Sequence, residues 1–246
     1  MKPSTRARII EGWAATFGLA PADLRGGATH VTTAADDRPR LLVLCLPDVT
    51  LVRGPPAHQE RVAALVEQLD HGRLLDPGAW AEAAPDLARS AHGPTVHAYC
   101  DDVSTLRPRD PRVQIAPPGV RDALDRLARS MPVEEWREAG FDDPGLLFTI
   151  MERRAIVAAA HLSPWDGHLA DMGFVTRPTA RGRGYGTIVA SAAARDAVER
   201  HGVARWRARA ANAASLGVAG RLGFERYGEH LLIDVRPEGA TGGRRR

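Results

Sequence analysis

Three glycines at alternate positions, Gly182, Gly184 and Gly186, form the segment of this sequence best suited to chemistry. They alternate with Arg183 and Tyr185, follow Arg181, and run through Thr187 into small apolar residues of helical character. Glycine lacks the side chain that would keep a ligand off the backbone. A turn of this kind points consecutive N–H groups inward, and a helix starting behind it adds the positive end of its dipole. Arg181 and Arg183 add charge-assisted donors. The chemistry this suits is pyrophosphate binding; taken alone, a bare Gly-x-Gly-x-Gly is more often just a tight turn. No Gly-Lys-Ser/Thr follows, so the loop is not of the ATPase type. The preceding strand belongs to an antiparallel hairpin, which argues against the dinucleotide pattern Gly-x-Gly-x-x-Gly.

The elements around this segment can be read from periodicity. Val113–Ala116 predicts a short strand, and Pro118 with Gly119 opens a helix striped by Val120, Leu124 and Leu127. A second helix follows over Met131–Gly140. Three strands come next, Leu146–Met151, Ala155–Leu162 and Leu169–Thr176, joined by Glu152-Arg-Arg154 and by Trp165-Asp-Gly167; connections this short make them antiparallel neighbours. After the glycines come a helix to His201, a strand over Val203–Ala208, a helix over Asn212–Leu222 and a closing strand or strand pair over Phe224–Val235. Upstream, the sequence predicts a helix at Thr5–Phe17, strands at His30–Thr33, Leu41–Leu46 and Thr50–Val52, and a helix from Pro56 to Leu69. Leu75-Asp-Pro-Gly78 and Ala91-His-Gly-Pro94 read as breaks, with a short strand at Val96–Tyr99. The charged, proline-interrupted stretch Asp101–Arg112 reads as a linker. The expected organisation is an N-terminal α/β domain of unassigned role at 1–110, a second domain at 111–236 and a disordered tail at 237–246.

Composition closes off several classes. No apolar run approaches the roughly 20 residues that span a bilayer, and the N-terminus lacks a signal-peptide core, so a cytoplasmic location without membrane association is expected. Cys45 and Cys100 stand far apart with no ligand partners at metal-site spacing, so neither a metal nor a disulfide framework is expected. The formal charge is +3, Lys2 is the only lysine, and the arginines are dispersed among acids, so no nucleic-acid partner is expected. The sequence is compatible with a monomer or a homodimer.

The residues resemble the GCN5-related N-acetyltransferases (GNAT). That family's phosphate loop, Gln/Arg-x-x-Gly-x-Gly/Ala after a strand ending in Val-x-Pro, is similar to Arg181, Gly184 and Gly186 preceded by Thr176-Arg-Pro178. A second motif, Asn-x-x-Ala/Ser followed by Leu-Gly-Phe, is similar to Asn212-Ala-Ala-Ser215 and Leu222-Gly-Phe224. The likeness covers about residues 110–236. Locally, Val175–Pro178 and Trp206–Ser215 look most like the branch that includes the zwittermicin-resistance acetyltransferase. The resemblance implies an α+β (mixed α/β) acyl-CoA N-acyltransferase fold with a mostly antiparallel central sheet. It also implies acetyl-CoA as cosubstrate, without a metal, held in a V-shaped opening between Leu169–Thr176 and Val203–Ala208. Phe174, Val175 and Thr176 would bind the pantetheine arm and polarise the thioester carbonyl, and Arg181 to Thr187 would take the pyrophosphate. Asn212 would touch the arm or cap its helix, and Ser215 would pack beside it.

The activity implied is acetyl transfer to a primary amine of a small molecule, antibiotics and related metabolites included. The alternatives are a protein amine acceptor, or a catalytically weak acyl-CoA-binding regulatory module. An amine attacks only when neutral, so a base is needed. Asp171 lies one residue from where relatives place a glutamate base; an unbroken strand would turn it to the opposite face, and a bulge would restore it. Many relatives protonate the leaving thiolate with a tyrosine seven residues after the asparagine. Here that position is Ala219, leaving Tyr227 and Ser215 as substitutes. His161 and His168, and residues near Trp136, Phe141 and Trp165, are candidates for the acceptor side.

Overall fold

The computed structural model describes residues 1–34, 38–115, 120–141, 144–165 and 168–236. In chain order its first half contains α1 (Pro3–Phe17), β1 (Ala28–Thr33), β2 (Arg40–Leu46), β3 (Val49–Gly54), α2 (Gln59–Gln68), α3 (Pro77–Ala83) and β4 (Ala88–Cys100). There follow β5 (Val113–Ile115), α4 (Val120–Ala128), α5 (Val133–Glu138), β6 (Leu146–Glu152), β7 (Ala155–Trp165) and β8 (His168–Thr176). The chain closes with α6 (Tyr185–His201), β9 (Ala204–Arg209), α7 (Ala213–Arg221) and β10 (Glu225–Val235). Pro118 and Gly119, Asp166 and Gly167, the segment 237–246 and the side chain of His168 lie outside the described residues. The expected class holds: helices pack on strands that pair mostly antiparallel, with β1–β3 and β8–β9 parallel among the pairings described. Among the described residues no helix is long and apolar enough to cross a membrane.

Contacts divide the chain into two units that interleave in sequence. The first holds residues 1–5, 98–208 and 212–226; the second holds 6–97, 209–211 and, of the described residues, 227–236. In the second unit the strand order is β1-β3-β2-β10-β4. Its core gathers Leu41, Val43 and Val52 from the strands with Val62, Leu65 and Trp80 from the helices. Two expectations change here. Asp76-Pro77-Gly78 is not a break but a helix start: Asp76 Oδ1 accepts from the Gly78 N–H at 2.9 Å, and Pro77 occupies the first turn, where a missing N–H costs nothing. β4 likewise runs straight through Ala91–Pro94. Pro94 gives up a donor there, but its carbonyl still accepts from Ala210 at 2.8 Å.

In the first unit the order is β9-β8-β7-β6-β5. α6 covers one face. Its Ala190, Ala193, Ala194 and Ala197 are fully buried against Ala158, Ala160 and Leu162 of β7, and side chains this small let helix and sheet approach closely. The other face carries α4 and α5: Leu124 and Leu127 of α4, with Trp136 of α5 against them, pack with Phe141, Leu147, Ala159 and Val175. The β6–β7 hairpin turns on Arg153 (φ 48°) and Arg154 (φ 62°), both left-handed, the geometry a two-residue hairpin needs. The segment read as a linker is tied to α6. The Arg195 guanidinium donates to the carbonyls of Val103, Leu106 and Arg107 at 3.2, 3.2 and 2.9 Å, and the Arg107 N–H donates to Ser191 Oγ at 2.8 Å.

Candidate functional site

The site begins where two parallel strands part. Among the described residues β8 and β9 pair only at Asp171↔Arg205 and Met172↔Trp206. Beyond those pairs, among the described residues, Gly173–Thr176 and Arg207–Ala208 share no ladder, although β8 stays paired with β7 as far as Thr176↔Ala158. One edge of β8 therefore presents backbone donors and acceptors to a wedge rather than to a neighbouring strand. At the root of the wedge, Trp206 lies between Phe174 and Phe224, with ring centroids 5.1 Å away on each side. Its indole N–H donates to Ser215 Oγ at 3.1 Å, so Ser215 orients the ring that props the opening. Of the predicted arm-binding residues, Val175 is buried in the α4–α5 core, while Phe174 and Thr176 are partly exposed.

The glycine loop leaves the open end of β8. After a single 3-10 turn at Pro178–Ala180, Gly182 (φ 76°) and Gly184 (φ 78°) take left-handed backbone, and Gly184 is the residue from which α6 starts. A Cβ at either position would meet nothing within 4 Å, so these glycines are there for conformation and access, not packing. Gly186 is different: a Cβ there would lie 2.6 Å from Thr176 Oγ1 and 3.1 Å from a Phe174 ring carbon. Its absence lets the first turn of α6 sit against β8. Among the described residues, no protein acceptor is engaged by the backbone N–H groups from Gly182 to Thr187. These are the orphan donors of a helix start, backed by the dipole of a 17-residue helix.

The side chains of the loop are anchored by neighbours. Arg181 donates through Nε to the Thr176 carbonyl at 3.3 Å and through Nη2 to Glu135 at 2.5 Å, which fixes the loop to both β8 and α5. The Tyr185 hydroxyl donates to Glu152, and the Arg112 guanidinium lies over its ring at 5.7 Å. That bond to Glu152 pushes the Tyr185 phenol above its usual range. Arg183 is exposed, and Thr187 is buried behind the turn. Downstream, Asn212 caps α7: its Oδ1 accepts from the Ser215 N–H at 3.0 Å. Ala219, where many relatives carry a tyrosine, is buried.

Asp171 is reached through a bulge. β7 and β8 pair as Ser163↔Asp171 and then Pro164↔Leu169, leaving Ala170 as an extra residue on β8. Past it, Met172 faces the α6 core while Asp171 and Val175 take the α4–α5 side. There Asp171 is almost fully buried and meets two arginines that alternation on β9 puts on the same face. Arg207 donates from Nε to Oδ1 at 3.1 Å and from Nη2 to Oδ2, and Arg205 Nη1 lies 3.6 Å from Oδ1. Arg205 lies over the Trp165 ring at 5.3 Å, and Trp165 in turn packs on Tyr99 at 5.5 Å. His161, on the same face, bonds through Nε2 to the Ala139 carbonyl at 2.7 Å; burial pushes its imidazole below the usual range, chiefly by desolvation. Tyr227 falls in the second unit, where burial raises its phenol. The sequence reading missed Arg205 and Arg207. Their two-residue spacing on a strand, which puts both on one face, was the available signal.

Residues 117–224, a little under half of the chain, match the model of the acetyltransferase (GNAT) family. Several solved structures are similar to parts of the chain. A functionally unknown conserved protein from Staphylococcus epidermidis is 12% identical with a TM-score of 0.50, the alignment covering 82% of this chain and 94% of that one. A protein from Novosphingobium aromaticivorans assigned to the GNAT acetyltransferases is 17% identical with a TM-score of 0.48, covering 62% of this chain and 69% of that one. A GNAT-family acetyltransferase from Colwellia psychrerythraea is 15% identical with a TM-score of 0.46, covering 64% of this chain and 61% of that one. No curated protein matches the sequence. The stretch 117–224 is thus where the chain carries its likeness to the GNAT acetyltransferases.

Proposed function

We propose that the first unit binds acetyl-CoA and transfers its acetyl group to a primary amine of a small molecule. The observation that carries this reading is that, among the described residues, β8 and β9 pair at Asp171 and Met172 alone and the N–H groups of Gly182–Thr187, at the mouth of the resulting wedge, engage no protein acceptor. An extended pantetheine arm suits the unpaired edge of β8, and a pyrophosphate suits the helix start. Open space at Gly182 and Gly184 keeps the backbone accessible to it. When bound, acetyl-CoA supplies a thioester carbonyl as the electrophile. The β8 edge at Gly173–Thr176 offers N–H groups to the oxygen on which charge develops. Asp171, the buried carboxylate at the root of the wedge, accepts the proton the ammonium must lose; a carboxylate keeps about four lone-pair directions, so its bonds to Arg207 leave room for this. As the new N–C bond forms and the C–S bond breaks, the departing sulfur takes its proton from solvent.

A second reading, an acyl-CoA-binding module of weak catalytic power, is favoured by Ala219 at the position of the usual acid. Calorimetry with acetyl-CoA and a free-thiol release assay across a panel of amines separate the two. Binding with release supports transfer, binding without release supports the module, and absence of binding overturns both.

A further inference from the structure

The face of β8 and β9 turned away from α6 carries charge in a place where charge is expensive. Asp171 is 5% exposed and Arg205 7%. Removing such groups from water is costly unless the charges are matched. In this cluster one carboxylate serves two guanidiniums. Asp171 offsets part of the desolvation of Arg205, Tyr99 hydrogen-bonds it, and Arg207 adds a like charge. Among the described residues the cluster Asp171, Arg205 and Arg207 sets one carboxylate against two guanidiniums, and an anion complements that balance.

Position says where that anion enters. Arg207 follows the last β8–β9 pair, Met172↔Trp206, so it stands at the root of the wedge on the face opposite Trp206. Asp171 holds its Nε and Nη2, leaving the Nη1 edge of the planar fork for another partner, and its side chain is 47% exposed. Beside it, His161 shows the complementary chemistry. Its Nε2 faces a carbonyl and so carries the hydrogen, which leaves Nδ1 as an acceptor. That Nδ1 is buried with no partner among the described residues, and Asp171 and Arg207 both act on the ring. A free donor edge for an anion and an unused acceptor for an N–H thus share one face.

We propose that Arg207, held in place by Asp171 and backed by Arg205, binds an anionic group of the acceptor, so that the acceptor is a primary amine with a carboxylate close by, as in an amino acid. This rests on the acetyl-transfer reading for the identity of the reaction but not for the anion site itself. The test uses matched pairs in the thiol-release assay: an amino acid against the amine left when its carboxylate is removed, such as lysine against cadaverine and tyrosine against tyramine. The carboxylate-bearing member should have the higher kcat/KM. Arg207→Lys keeps the charge but loses the fork, and should reduce that preference roughly tenfold to a hundredfold, the worth of a charged hydrogen bond. Equal rates within every pair, or a preference unchanged in Arg207→Lys, overturns the proposal.

An arm independent of turnover titrates the wild-type chain with sodium acetate and follows the arginine Nε–H signals by NMR, with sodium chloride as control. A saturable shift of the Arg207 signal with acetate alone supports the site, and no such shift overturns it even where the variant fails to fold. Calorimetry with acetyl-CoA keeps the two readings apart: an acetate shift without acetyl-CoA binding leaves the anion site standing and removes the acetyl-transfer reading.

Discussion

Gly184 and Gly202 sit at opposite ends of α6 in the same backbone conformation, φ 78° and ψ 0° at one and φ 75° and ψ −2° at the other. A Cβ would meet nothing within 4 Å at either. Alanine at each therefore costs the same thing, left-handed strain of about 1–2 kcal/mol, without a packing clash. For a chain of this size that lowers Tm by about 2–8 °C in each variant. Function should separate them. Relieving the strain at Gly184 turns the loop away from left-handed geometry and moves the N–H groups of the α6 start, whereas relieving it at Gly202 moves only the far end. If acetyl-CoA must restore the native loop on binding, the same 1–2 kcal/mol appears as a loss of affinity of about five- to thirtyfold. Calorimetry on Gly184→Ala should show that loss, and on Gly202→Ala an affinity within about twofold of the wild type. Equal affinities in the two variants, with equal Tm losses, would refute the assignment of the loop.

Other outcomes follow from the same contacts. Ser215→Ala leaves the buried Trp206 N–H without its acceptor and should cost about 1–3 kcal/mol in denaturant unfolding. Asp171→Asn removes the charge facing Arg205 and Arg207 and should destabilise by about 3 kcal/mol or more, with turnover reduced; unchanged turnover would remove Asp171 as proton acceptor. Burial keeps His161 neutral in the fold, below its ordinary value of 6.5, so the unfolded chain takes up the proton first. Its share of stability is full above that value and falls as pH drops through it, and His161→Gln should flatten the pH slope of Tm below it. Asp234 works the other way. Burial raises its carboxyl, but hydrogen bonds from His92, Ser90 and Arg40 outweigh that and hold it at about 2. Its contribution is present above 3.8 and lost as pH falls toward 2, so Asp234→Asn should reduce the acid sensitivity of Tm in that window.

What could be read from the sequence was whatever local chemistry decides. The glycines before α6, the Asn212 cap and the order of strands and helices after residue 110 follow from turn chemistry and periodicity. Helix α3 was missed because Asp76-Pro77-Gly78 serves equally as a turn and as a helix start, and only the buried Trp80 behind it decides between them. The true length of β4 was hidden by Gly93 and Pro94, which local propensity counts against a strand and which tertiary pairing accommodates. In the site, the facing of Asp171 depends on a one-residue bulge at Ala170, a property of strand register that no spacing rule locates. The role of Ser215 depends on Trp206, nine residues away on another element, and the guanidiniums on Asp171 come from a strand more than thirty residues downstream.

The measurement that bears most directly on the whole account is isothermal titration of the intact chain with acetyl-CoA, run in parallel with a dephosphorylated pantetheine thioester. The wedge and the α6 start together predict saturable one-to-one binding of acetyl-CoA that weakens at least tenfold when the pyrophosphate is absent. No binding of acetyl-CoA, or equal binding of the two compounds, would contradict it.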